Sequence, residues 1–147
     1  MQIRNNIEQN FFNKFVSLLS RKGSITKAKL VVTLTFKKLK KRFKQPLSLL
    51  LIRAWKKLDV FVESRKVRVR RNFHWVPFTV SVKRRILLAL KWILTSALQS
   101  KKKIPLSSKL YHEILLVEKG LDSDAFKLKA LNNASAQSNR ANMHYRW

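Results

Sequence analysis

The sequence predicts a mainly α protein: a six-helix bundle with a two-stranded β-hairpin protruding between the third and fourth helices. Three observations predict it. Apolar residues recur at helical spacing along most of the chain. Residues 60–82 break that texture with alternating β-branched and aromatic residues. And 46% of the 147 residues are hydrophobic although the formal net charge is +26. A basic disordered tail would lack such an apolar content, so a core must coexist with a strongly cationic surface.

The first helix is expected over residues 7–20, where Ile7, Phe11, Phe15 and Leu19 share a face, and Gly23 suits the position past its end. Residues 26–43 (TKAKLVVTLTFKKLKKRF) read two ways. Leu30, Val32, Leu34 and Phe36 alternate like a strand, while Ala28, Val31, Val32, Phe36, Leu39 and Phe43 repeat like a helix. Length favours the helix, with Thr26 as its N-cap. Pro46 suits the first turn of a third helix, whose stripe is Leu47, Leu50, Leu51, Ala54 and Leu58. Residues 60–71 and 73–82 then read as antiparallel strands turning near Arg70, Arg71 and Asn72, with Pro77 on an unpaired edge. A fourth helix follows over residues 84–99, with Ile86, Leu90, Ile93 and Ala97 inward and Leu87 and Leu94 beside them. Ser108 is the expected cap of a fifth helix closed by Gly120. Ser123 or Asp124 caps a sixth that runs to about Asn142, with a weak apolar face of Leu128, Leu131 and Ala134. The chain reads as one domain, residues 1–147. Its parts are a short N-terminal arm (1–10), the hairpin arm (60–82) and a C-terminal tail (143–147).

Charge narrows the function. Thirty-three Lys and Arg face only 7 Asp and Glu, and a polyanion is the natural partner for such an excess. The basic residues group at 37–44, 65–71, 83–85 and 101–103, at helix ends, in the hairpin and in a loop. Each phosphate that such groups meet releases a counterion and adds affinity. In the arm, arginines interleave with Phe73, His74 and Trp75, a mix suited to unpaired bases. Spread charge of this kind suits a protein embedded in folded RNA, whereas a DNA-binding helix-turn-helix would concentrate it on one recognition helix. That regulator is the alternative reading, and a cationic membrane-active protein is a third. No enzyme is expected. With no cysteine, three scattered histidines and two glycines, there is no thiolate, metal cluster or phosphate loop, and no cofactor is expected. No apolar run reaches the roughly 18–20 residues of a spanning helix, so no membrane partner is expected. The polar start is not a secretory signal. Residues 11–22 share the composition of a mitochondrial presequence, but they are read as core helix.

At this point the residues resemble a family. Lys14, Phe15 and Val16 with Gly23 following, Val62 and Glu63 entering the hairpin, and above all VPFTVSVKRRILLALKWIL (residues 76–94) stand as they do in the small-subunit ribosomal protein seven family. So do Asn139, Ala141 and the terminal His144, Tyr145, Arg146 and Trp147. The resemblance spans about residues 11–147 and makes residues 26–43 a helix. It implies a structural constituent of the ribosomal small subunit, one that binds the 3′ major domain of its RNA and organises head assembly. The hairpin would line the path of exit-site transfer RNA and messenger RNA, and head and platform proteins would be neighbours. By position it implies RNA contacts from Arg65, Arg68, Lys83, Arg84 and Arg85 and from His144, Tyr145, Arg146 and Trp147. Lys22, Lys27, Lys66, Lys91, Lys101, Lys102 and Lys103 complete the expected RNA-binding set. The tip near transfer RNA is Arg70, Arg71, Asn72 and Phe73.

There are departures from the family pattern. Arg70 and Arg71 replace the pair of glycines common at the turn, which leaves Asn72 as the residue expected to take a positive φ. The basic N-terminal arm is short. Lys29, Lys37 and Lys56 stand where bacterial relatives often carry Glu. Abundant Lys, Asn, Phe, Leu and Ile with scarce Gly and Pro fit an AT-rich gene, and no separate presequence is expected before the first helix. The expected compartment is the mitochondrion, with plastid or bacterial cytoplasm as alternatives.

Overall fold

The computed structural model describes residues 2–20, 22–43, 45–100 and 103–146, with side chains from Glu8 onward. Six α-helices and one hairpin follow in the expected order: α1 (Gln2–Leu19), α2 (Ile25–Arg42), α3 (Leu47–Leu58), β1 (Val62–Val69), β2 (Asn72–Thr79), α4 (Val82–Gln99), α5 (Leu106–Lys119) and α6 (Asp124–Ser138). A 3-10 segment, Arg140–Tyr145, closes the chain.

The apolar stripes meet in one core. Phe11 and Phe15 of α1 are buried, and Phe15 and Phe12 set their ring edges against Phe36 of α2 at 6.1 and 5.9 Å. Of residues 26–43, all but the extended Phe43 are helical. Ala28, Val32, Phe36 and Leu39 face inward, and the strand-like alternation fails because Leu30 and Leu34 end in solvent. All five residues of the α3 stripe are buried. The α5 helix packs against α2, α3 and α4, with Leu110, Ile114 and Val117 enclosed.

Helix starts differ from the expected caps. The α1 helix begins at Gln2, not Ile7, because no Gly or Pro interrupts residues 2–10, so the stretch read as an arm is its first turns. Ser24 precedes α2 in place of Thr26, and Pro105 precedes α5 in place of Ser108. Proline fits there because its fixed φ and missing N–H cost a first turn nothing. Pro46 has no side chain to cap α3. Instead Glu8 reaches across from α1 to accept the Ser48 amide at 3.2 Å, and it pairs with Lys40 of α2 at 3.0 Å. Ser123 caps α6, accepting from the Ala125 amide at 3.1 Å. Gly120 ends α5 at φ +76, where a side chain would be strained.

The last helix stops at Ser138 and does not reach Asn142, which lies in the 3-10 segment. With Leu131 and Ala134 exposed, α6 has too little apolar face to continue against the body. It docks through Ala125, Phe126 and Leu128 and through Asn132, which donates to the Val62 carbonyl at 2.8 Å.

Candidate nucleic-acid interface

The hairpin is a regular antiparallel ladder, with Val62 opposite Thr79, Lys66 opposite Trp75, Arg68 opposite Phe73 and Val69 opposite Asn72. Its strands are shorter than expected. The ladder ends at the Val62–Thr79 pair, and Ser81 and Val82 leave the sheet to start α4. The turn is Arg70 and Arg71. Arg70, not Asn72, takes the left-handed conformation at φ 54. Asn72 is held in the ladder by Val69, so the turn must fall on the two arginines, and Arg68 Nε steadies it by donating to the Arg70 carbonyl at 3.2 Å.

Two-stranded hairpins are marginal in water, and this one is braced from three sides. At its root, Glu63 receives the Arg84 fork, Nη2 to Oε1 at 2.7 Å and Nε to Oε2 at 3.1 Å, and also Arg65 at 3.3 Å. Arg84's hydrogen bonds hold the Glu63 carboxyl below the usual carboxylate range, against the opposing effect of burial. Beside it Asp59, just past α3, receives Arg85 Nε at 2.7 Å, and that guanidinium lies over the Phe61 ring at 4.2 Å. These bonds raise the pKa of Arg84 and of Arg85, against the opposing effect of burial. The third brace is the 3-10 segment on the outer edge of β2. Asn142 donates to the Trp75 carbonyl at 3.1 Å, and Arg146 donates to the Pro77 carbonyl. Alternation puts the missing N–H of Pro77 on that same outer edge, as expected of an edge proline. Tyr145 stacks on His74 at 4.8 Å, and His144 lies 3.9 Å from Tyr145.

The arm region therefore gathers Arg65, Lys66, Arg68, Arg70, Arg71, Asn72 and Phe73 with Lys83, Arg84 and Arg85 at the start of α4 and His144, Tyr145 and Arg146 at the chain end. Lys83 also lines a surface groove of about 410 Å³ with Lys14. The other described candidates lie elsewhere. Lys91 is exposed midway along α4. Lys103 follows its far end, about 27 Å of helix from the arm at 1.5 Å per residue over 18 residues. Lys22 and Lys27 flank the α1–α2 turn, where Lys22 and Gly23 both have positive φ, at 50 and 74. That turn shares the end of the bundle with the α4–α5 loop, since Leu18 and Leu19 line one pocket with Leu94, Leu98 and Leu106. Apart from Lys91, the described candidates thus form two basic poles. Lys44, Lys101, Lys102 and Trp147 lie outside the described residues.

Sequence reasoning missed the acids. Asp59 and Glu63 are 26 and 21 residues from the arginines they bind, and no periodicity links them. It also left the 37–44 group without an address. Lys38, Lys41 and Arg42 gather around Tyr111 of α5, with Lys38 bonded to Ser108 at 2.7 Å and Arg42 to the Tyr111 hydroxyl at 3.2 Å.

Among the described residues no cluster of His, Asp or Glu could hold a metal, and no helix is long and apolar enough to cross a membrane. Fold and surface together define a class: a small helical scaffold that displays a braced cationic arm. Comparison with known proteins gives the family. Residues 2–140 match the model of ribosomal protein S7p/S5e. The chain is 30% identical over 97% of its length to small ribosomal subunit protein uS7m of Marchantia polymorpha, spanning 62% of that protein. It is 30% identical over 91% to uS7 of Desulfatibacillum aliphaticivorans, spanning 85% of it, and 28% identical over 94% to uS7m of Reclinomonas americana, spanning 86%. The chain belongs to the ribosomal protein S7p/S5e family, a family of structural ribosomal proteins and not of enzymes.

Proposed function

We propose that the chain is a structural protein of the small ribosomal subunit that binds the 3′ major domain of its RNA and organises assembly of the head. The observation that carries this is the braced arm. Five basic residues from Arg65 to Arg71 project on a hairpin whose nearest acid, Glu63, is already committed to Arg84 and Arg65. An arm held stiff before it meets RNA loses less entropy when phosphates dock on it. The arm pole would grip one part of the folded RNA, and the pole of Lys22, Lys27 and Lys103 would grip another. Head and platform proteins would pack on the remaining faces. The tip, Arg70 to Phe73, would lie beside exit-site transfer RNA and messenger RNA. The compartment we assign is the mitochondrion, on the AT-rich composition and the similarity to two uS7m proteins.

Sedimentation tests the reading. A tagged chain runs with the small subunit, stays there in moderate salt and is released by RNase. A free pool bound to duplex DNA supports the regulator instead, and liposome binding unaffected by RNase supports the membrane reading. Recovery of the particle from plastids or bacterial cytoplasm overturns the compartment.

A further inference from the structure

The two faces of the arm are unequal. Residues opposite one another across the ladder share a face, so one face carries Glu63, Arg65, Val67, His74, Val76 and Phe78. There Val76 is fully buried, His74 is stacked under Tyr145, and Arg146 lies over Phe78 at 5.8 Å. The other face carries Lys66, Arg68, Phe73 and Trp75 in its outer half, and all four are exposed. An antiparallel sheet with one covered face normally turns polar side chains to water on the other. Here Phe73 and Trp75 stand in those places, 57% and 50% exposed. Lys66 Nζ sits 4.4 Å from the centre of the Phe73 ring and Arg68 6.0 Å from it. No acid lies on this face.

We infer that this open face is a stacking platform for two unpaired nucleobases, one on Phe73 and one on Trp75, with Lys66 and Arg68 meeting the phosphates between them. The inference rests on the RNA-binding reading above and names the residues through which the arm would do it. Residues two apart on a strand stand about 6.8 Å apart, wider than stacked bases, so the platform selects a strand already drawn out and excludes a duplex. Aromatic side chains on an open sheet face engage single-stranded RNA in this way. His74 takes no part, since its ring is already occupied by Tyr145. A neighbouring protein is the rival occupant of an exposed aromatic pair. The flanking cations and the absence of any acid from this face favour a nucleic acid.

The test uses the full chain with a short single-stranded oligoriboadenylate, an RNA duplex of equal length and small-subunit ribosomal RNA. Both side chains are about half exposed, so Phe73→Leu and Trp75→Leu should lower the thermal midpoint by only a few degrees and leave the chain folded. Each should weaken single-strand binding by roughly 5- to 150-fold, the equivalent of about 1–3 kcal/mol per stacked base. Duplex binding and the salt slope should not change. The single strand should quench the fluorescence of wild type more than that of Trp75→Leu, and Trp75→Phe should restore most of the affinity. Unchanged single-strand binding, equal losses on the duplex, or no rescue by Phe overturns the platform. If ribosomal RNA binds wild type and variants alike but the variants fail to enter the subunit, a protein covers the face and the platform is wrong. If wild type binds no ribosomal RNA, the underlying reading falls and takes this one with it.

Discussion

Replacing Glu63 with Gln tests how the arm is held. The carboxylate is 13% exposed and takes two bonds from Arg84 and two longer ones from Arg65. A hydrogen bond to a charged group contributes about 1.5–3 kcal/mol. Glutamine keeps one acceptor but turns an amide N–H toward a guanidinium that can only donate. Arg84 and Arg65 are 41% and 49% exposed, so water compensates much of the loss, and exposed pairs contribute about 0–1 kcal/mol. The expected cost at neutral pH is about 1–2 kcal/mol, or a fall in midpoint of about 2–8 °C for a chain of this size. The pH dependence has a definite sign. Arg84 lowers the Glu63 pKa in the fold, so as the solution turns acid the unfolded chain takes up this proton first. The stabilisation is present above the ordinary carboxylate range and is lost as pH falls through the folded pKa. Urea denaturation of wild type and Glu63→Gln between neutral and strongly acid pH should therefore show two curves that converge at the acid end. A gap that persists undiminished in acid, or a cost at neutral pH under about 0.5 kcal/mol, refutes this account of the brace.

Three further outcomes are expected. Arg84→Ala with Arg85→Ala should weaken ribosomal RNA binding and lower its salt slope by about 0.7–0.9 for each phosphate no longer neutralised; an unchanged slope shows that these guanidinia serve only Glu63 and Asp59. Deleting Arg70 to Asn72 should spare head assembly and perturb exit-site transfer RNA, and a block in assembly would reassign the arm. Asn142→Ala removes the bond to the Trp75 carbonyl and should cost about 0.5–1.5 kcal/mol locally, seen as faster hydrogen exchange of β2 amides; unchanged exchange means the segment does not stabilise that edge.

The helices are legible because each carries its own pattern. The α3 stripe needs no partner to be recognised, and all five of its residues are buried. The α2 helix shows where local pattern ends. Leu30 and Leu34 fit a strand as well as Val32 and Phe36 do, and only packing against Phe12 and Phe15 decides which pair goes inside. The turn departs from expectation because intrinsic preference points to Asn72, while the register set by Val69 imposes the left-handed residue at Arg70. At the candidate interface the basic residues are legible, but their commitments are not. Arg84 and Arg85 read as free phosphate donors until the fold brings Glu63 and Asp59 to them. The separation of Trp75 from His74, one open and one covered, depends on a segment 67 residues further along, where Asn142 lies.

That separation has a consequence for synthesis. Emerging at about 5–20 residues per second, the chain makes Asn142 roughly 3–13 s after Trp75. Throughout that interval the outer edge of β2 is a row of open carbonyls and amides, the kind of template on which nascent chains pair wrongly. The crowd of like charges from Arg65 to Arg71 keeps a second copy of the same edge at a distance during those seconds. The arginines would then protect the arm as a gatekeeper does, before the last turn of the chain folds back to close it.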